Sequence, residues 1–279
     1  MTSGPGDDGD GIAVRASAAA QVFVDDLEVL EVRPDDLHHL GRALRLRPGE
    51  VVAAADGRGN WRLCSFRGLG GSRGDVLEAA GPARHEPRAL PALTVAFAPV
   101  KGDRPDWVAQ KLTELGIDRL VPLIADRSVV RWEGARGRAA VERLRRVARE
   151  AATQCRRAWM PEVLEVAEVA ALPTAVGAAG LAGAAGLALA DRGGPPPTSA
   201  LRGLAVGPEG GWSQAERAMG LATVGLSPHV LRAETAAVAA GVLLGALRAG
   251  TVADNGDQDA TRRPGHGTGT GAGTGTGTG

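Results

Sequence analysis

The stretch Leu204 to Glu216, LAVGPEGGWSQAE, decides how the second half of this chain is built. Leu204, Ala205 and Val206 read as the end of a buried strand. Gly207, Pro208, Gly210 and Gly211 then form a loop with almost no side chains, around one carboxylate, Glu209. Ser213 and Glu216 have the spacing of a capping box, in which the serine caps the third helical amide and the glutamate reaches back. The order is strand, glycine-rich loop, helix start. Such a loop either holds a ligand with its backbone or is a tight turn that packs a helix on its strand.

If a ligand sits there, the residues argue against phosphate. A P-loop ends its glycine run with Lys and Ser/Thr, and here Trp212 and Ser213 follow instead. The spacing G-P-E-G-G is also not the dinucleotide fingerprint. Glu209 would repel a phosphate, so a neutral or cationic ligand fits better.

Outward from this loop, strands and helices alternate. LTVAFA (Leu93–Ala98) reads as a buried strand. Asp103 is placed to cap a helix with Val108, Leu112 and Leu115 on one face, stopped by Gly116. RLVPLIA (Arg119–Ala125) is a second strand. A long helix follows, with Ala140, Leu144, Val147, Ala151 and Cys155 at helical spacing. LALA is another strand, and a last helix runs from about Glu234 to Arg248. This alternation predicts an α/β domain with a mostly parallel sheet over residues 89–250. The uncharged segment Val169–Ala190 is rich in Ala and Gly, so it reads as helix then strand and not as a membrane span.

Residues 19–88 differ. Short apolar runs are split by turn signals, and Asp56-Gly57 between VVAAA and Trp61–Phe66 is a hairpin signal. They predict a small β-barrel-like domain, with a short helix over His38–Arg45. Residues 1–18, rich in Gly and Asp, and the Gly-Thr tail, residues 251–279, are expected to be disordered.

Charge balances across the 279 residues, 32 basic against 32 acidic, so the total implies neither a nucleic acid nor a membrane surface. Its distribution is more telling. Only Lys101 and Lys111 are lysine. Arg127 to Arg157 contains ten arginines against Glu133, Glu142 and Glu150, a local excess of about seven. Such a run is either a solvated helix face or an RNA-backbone footprint. Cys64 and Cys155 make no disulfide framework, and the acidic N-terminus lacks a signal peptide's apolar region, which points to the cytoplasm. No histidine has metal-ligand spacing, and Cys155 reads as core, not as a nucleophile. Arg232 and Glu234 precede the last helix. They are either a favourable helix terminus or part of a second ligand loop beside the first.

Five stretches in order carry a resemblance: HHLGRALRLRPGEVVAAADGRG, KGDRPDWVAQKLTELGIDRLVPLIADRS, EAATQCRRAWMP, VGPEGGWSQAE and LSPHVLRAETA. Together they resemble the RsmE family of ribosomal RNA small-subunit methyltransferases, within the SPOUT superfamily. That resemblance implies a PUA-like RNA-binding barrel followed by an α/β trefoil-knot domain, acting as a homodimer. It implies S-adenosylmethionine as cofactor, with N3 of one uridine in 16S ribosomal RNA of the small subunit as target and no metal. Leu189, Val206, Gly207, Glu209, Gly210, Gly211, Leu226 and Leu231 would then border the cofactor, with the glycines letting the main chain approach it. Arg127, Arg131, Arg143, Arg146, Arg149 and Arg156 would meet RNA.

Uridine N3 must lose a proton before it attacks the methyl group. Glu234 is the candidate base, and Arg232 or Arg157 would stabilise the uracil anion. The chain departs from the family pattern at Ser227 and His229, where Gly and Arg are common. Trp212 stands where Phe is usual, and Cys155-Arg156-Arg157 replaces Ser-Gly-Arg. Alternatives are a knot-fold enzyme acting on ribose 2′-OH or transfer RNA, or a non-catalytic RNA-binding protein on the same fold.

Overall fold

The computed structural model describes residues 8–38, 40, 44–69, 76–178 and 186–252. The first half is a five-stranded sheet of β1 (Ala20–Phe23), β2 (Val51–Ala55), β3 (Asn60–Phe66), β4 (Leu77–Ala79) and β5 (Arg84–His85). Its order is β1-β2-β3-β4, with β5 also on β3. β1 and β2 pair in parallel and the rest antiparallel. The β2–β3 hairpin turns where Asp56-Gly57 signals it. The Asp56 carboxylate accepts the Arg58 and Asn60 amides at 2.7 and 3.0 Å, and Gly57 and Gly59 take φ of 74° and 92°. Val22, Leu40, Val52, Ala54, Cys64 and Phe66 form the core of this half.

Two expectations are corrected here. The first 18 residues are not uniformly disordered: α1 (Asp8–Ala16) is a helix, and Arg15 near its end is 2% exposed. Residues 1–7 lie outside the described ones. The helix expected over His38–Arg45 stands earlier, as α2 (Pro34–His38). Residues 39 and 41–43 of that stretch, like the tail from 253 to 279, lie outside the described residues.

The second half is a seven-stranded parallel sheet with helices on both faces. Its strands are β6 (Thr94–Phe97), β7 (Arg119–Ile124), β8 (Glu162–Val163), β9 (Ala167–Glu168), β10 (Leu187–Ala190), β11 (Gly203–Val206) and β12 (Ala222–Val224). They run in the order β12-β10-β11-β6-β7-β8, with β9 on β7. Every pairing is parallel.

Side chains alternate across the sheet with the strand period of two. Val95, Phe97, Leu120, Leu204 and Val206 face α3 (Arg104–Glu114), α4 (Gly134–Gln154) and α7 (Ala233–Arg248). Ala96, Val121, Leu123, Leu189 and Ala205 face α5 (Leu172–Ala178) and the indole of Trp212. Asp103 occupies the N-cap of α3, but its side chain caps nothing; Pro105 inside the first turn starts the helix instead. Gly116 ends it at φ 80°.

The two sheets meet through main chain. Gly59 N–H donates to the Ala158 carbonyl at 3.2 Å and Met160 N–H to Gly57 at 2.9 Å. Gly59 permits this approach, because a Cβ there would stand 2.7 Å from both the Glu86 carbonyl oxygen and the Trp159 ring.

Candidate cofactor cleft and the basic helix

The carboxyl ends of β10, β11 and β12 open into one cleft of about 310 Å³, where ligands of open α/β sheets bind. Two loops form it, Gly207–Trp212 after β11 and Leu226–Leu231 after β12, with Ala190–Arg192 between them. Of the cofactor residues read from the sequence, Val206, Gly207, Glu209, Gly210, Gly211, Leu226 and Leu231 line it. Leu189 is fully buried beneath, one residue from the lining Ala190, and supports the floor without facing the opening.

The first loop is held from three sides. Ser213 caps α6 (Gln214–Arg217), and its capping box with Glu216 is fully formed. The Trp212 indole N–H donates to the Ala190 carbonyl at 2.9 Å, tying β11's loop to the end of β10. Arg217 joins Asp191 through two bonds of 2.7 and 3.1 Å and donates to the Trp212 carbonyl at 2.8 Å. The hydrogen bond from Arg217 holds the Asp191 carboxyl below the usual carboxylate range.

The glycines have local reasons. A Cβ at Gly207 would sit 3.1 Å from the Trp212 ring, and one at Gly210 would sit 3.1 Å from the Arg127 Cβ. Gly211 adopts φ 68°, in the left-handed region that favours glycine. At Gly207 and Gly210 the close approach that glycine permits is to the chain's own side chains.

The comparisons agree with this geometry. A family model for an RNA methyltransferase domain matches residues 87–245, and one for an RNA methyltransferase PUA domain matches residues 32–75. The ribosomal RNA small subunit methyltransferase E of Mycobacterium bovis is 35% identical over 250 residues, covering 84% of this chain and 94% of that protein. The chain belongs to the ribosomal RNA small subunit methyltransferase E family. Among solved structures, a probable rRNA-methyltransferase from Porphyromonas gingivalis superposes with TM-score 0.65 at 25% identity, covering 84% of this chain and all of the other. The family member from Neisseria gonorrhoeae, solved bound to S-adenosyl methionine, gives 0.66 at 23% identity over 82% and 97% of the two chains.

The catalytic candidates separate. Arg232 is the exposed N-cap of α7, between Leu231 and Ala233 of the cleft wall, and its side chain makes no hydrogen bond or ion pair among the described residues. Glu234 follows it in the first turn. It does not pair with Arg232. One oxygen lies 3.2 Å from Arg104, and the other is buried and accepts no hydrogen bond among the described residues.

Arg157 lies apart from the cleft of its own chain. Its guanidinium donates to the Thr113 and Ile117 carbonyls at 3.0 and 2.8 Å and lies 3.5 Å from Asp118, at the amino edge of the sheet. A helix of α4's 21 residues spans roughly 30 Å, which separates Arg157 from the cleft in this chain. Burial lowers its pKa from the ordinary arginine value, and the Asp118 carboxylate opposes that shift.

The basic run divides too. Arg149 donates to the Phe23 carbonyl and Asp36 at 3.0 and 2.9 Å and lies over the Phe23 ring. Arg156 donates to the Ala18 and Ala19 carbonyls of the first half. It stands at φ 59°, the position where the family pattern favours glycine, so its hydrogen bonds hold a conformation that costs an L-residue about 1 kcal/mol or more. The Arg15 Nε–H of α1 donates back to the Arg156 carbonyl at 2.9 Å. Arg149 and Arg156, read from sequence as RNA contacts, are the clamp between the halves.

Arg143 pairs with Asp106 at 3.0 Å and Arg131 with Glu133 at 3.4 Å. Arg127 donates to the Gly210 carbonyl at 3.0 Å. Arg146, with Arg136 and Arg138, stays exposed and makes no side-chain hydrogen bond or ion pair among the described residues. The clamp was not legible in the sequence because its acceptors lie more than a hundred residues away and all but Asp36 are main-chain carbonyls.

Proposed function

We propose that this chain methylates N3 of one uridine in the RNA of the small ribosomal subunit, in the cytoplasm, as a homodimer whose second half is a trefoil knot. S-adenosylmethionine is the methyl donor. The observation that carries the reading is the cleft: two loops at strand carboxyl ends, built from backbone and glycine, with no phosphate-binding lysine, in a chain of this family. A cleft of about 300–1,000 Å³ suits a cofactor of that size.

Bound there, S-adenosylmethionine supplies a methyl group on a sulfonium. Gly207, Gly210, Leu226 and Leu231 would hold its adenosine by main chain and apolar contact, and Glu209 suits its cationic end. The chain's remaining task is to position the uridine and remove its N3 proton. Glu234 does not line the cleft itself, but one of its oxygens is buried, accepts no hydrogen bond among the described residues and is the candidate proton acceptor, while Arg104 fixes the other oxygen. Arg232, exposed between the cleft residues Leu231 and Ala233 though not itself part of the lining, would meet the anionic O2/O4 edge. Arg146, Arg136 and Arg138 remain for RNA phosphates, which fix position and not sequence.

The test is to incubate the protein with labelled S-adenosylmethionine and small subunits that lack the modification, then identify the product nucleoside by mass spectrometry. N3-methyluridine is expected. A ribose-methylated nucleoside, a product only on transfer RNA, or RNA binding with no transfer would each replace this reading with one of its rivals.

A further inference from the structure

The loop that follows β7, Ala125–Glu133, reaches across to the glycine loop and is locked to it. The Asp126 amide donates to Glu216 Oε1 at 2.9 Å, while Glu216 Oε2 accepts the Ser213 amide at 2.7 Å. The Ser213 hydroxyl donates to Asp126 Oδ2 at 2.5 Å and accepts the Glu216 amide at 3.1 Å. Glu216 is 2% exposed, so the capping box also serves as the socket for a loop 90 residues away in sequence. Beyond this socket the Arg127 guanidinium donates to the Gly210 carbonyl, and Gly210 has no Cβ to push Arg127 aside.

We infer that Asp126 and Arg127 are positioning residues for the cofactor loop: together they fix the peptide at Gly210 in the orientation that the cleft presents to its ligand. This assigns Arg127 a role other than an RNA-phosphate contact. The geometry favours it because an acceptor is already engaged, and because that acceptor is the main chain of the cleft wall. A peptide group aimed before the ligand arrives lowers the ordering cost of binding. Without Arg127, Gly207–Trp212 keeps its ends at β11 and α6 but loses the tie at its tip.

The inference rests on the S-adenosylmethionine reading, and the experiment separates the two. Calorimetry without RNA measures S-adenosylmethionine affinity for wild type, Arg127→Ala, Arg127→Lys and Ser213→Ala. Thermal melts run in parallel, together with kcat and KM for both substrates. Arg127→Ala is expected to bind the cofactor about tenfold more weakly, the effect of one lost charge-assisted hydrogen bond. Its KM for the cofactor should rise with kcat nearly unchanged and Tm within a few degrees. Arg127→Lys, which keeps a donor, should recover most of the loss. Ser213→Ala, which opens the same latch from the other side, should weaken binding in the same sense.

Unchanged cofactor affinity in Arg127→Ala, with a higher KM for RNA and a salt slope smaller by about one, would overturn the inference and make Arg127 a phosphate contact. Wild type that fails to bind S-adenosylmethionine would instead remove the proposed function, and the inference with it.

Discussion

The two edges of the parallel sheet use arginine in opposite ways. At the carboxyl edge the cleft stays open. Arg217 and Arg127 lie on its margins and donate to Asp191 and to the carbonyls of Trp212 and Gly210. At the amino edge the space is filled. Asp118 is 3% exposed, accepts the Leu93 amide at 2.9 Å and meets Arg248 at 2.6 Å, Arg157 at 3.5 Å and Arg88 at 4.0 Å. A buried charge must be paired and hydrogen-bonded, so three guanidinium groups gather round one carboxylate. What separates a structural arginine from a ligand-facing one here is where its carboxylate or carbonyl lies.

The comparison breaks most visibly at Asp118. Asp118→Ala leaves Arg157 and Arg248 buried without a counter-charge and should cost about 3–5 kcal/mol in urea unfolding. The folded fraction should keep its cofactor affinity, because the cleft is at the other edge. A variant that melts like wild type would show the amino edge to be ornamental.

Gly210→Val attacks the other edge. Its Cβ would press on Arg127 at 3.1 Å, and the loop must shift to relieve it. Cofactor affinity should fall about a hundredfold, roughly 2.7 kcal/mol, while Tm stays close to wild type. Equal affinity would take the loop out of the site.

Arg149→Ala and Arg146→Ala sharpen the division within the basic helix. The first removes a tie to Phe23 and Asp36 and should lower stability by about 1–3 kcal/mol. The second removes an exposed side chain with no hydrogen bond or ion pair among the described residues and should leave stability within about 0.5 kcal/mol. Its effect should appear in RNA binding, as a salt slope reduced by about one. If the two variants exchange these phenotypes, the clamp is misassigned.

The smallest effect concerns Asp191. Its folded pKa is depressed below the ordinary 3.8 by the Arg217 hydrogen bond. The contribution of that bond is therefore complete above 3.8 and is lost as pH falls through the lower folded value. Titrated by NMR, the Asp191 carboxyl should change below 3.8 in wild type and return toward it in Arg217→Ala.

Much of the carboxyl edge was legible because its chemistry is local. Glycine, the Ser213–Glu216 spacing and the apolar run before them act within thirteen residues, and the structure forms that strand, loop and capped helix. The β2–β3 turn was legible for the same reason. The amino edge and the clamp were not. Asp118 and Arg248 are 130 residues apart, and Arg156 finds the Ala18 carbonyl across 138. No spacing rule reaches so far, and a carbonyl acceptor leaves no mark in the side-chain sequence. α1 was missed because glycine and aspartate lower its intrinsic helix propensity; its anchor is Arg15, whose partners, Glu86 and the Arg156 carbonyl, lie 71 and 141 residues downstream.

That last separation sets a schedule for synthesis. The first sheet has its own core and can close soon after β4 and β5 emerge. α1 can meet Trp61 and Glu86 at that stage but docks only in part, because the carbonyl that receives the Arg15 Nε–H belongs to residue 156. At about 5–20 residues per second, the 141 residues between them take roughly 7–28 s to make. For that interval the Arg15 Nε–H is without its native acceptor. The Arg15–Arg156 bond marks the moment when α4 has been completed and the two halves have joined.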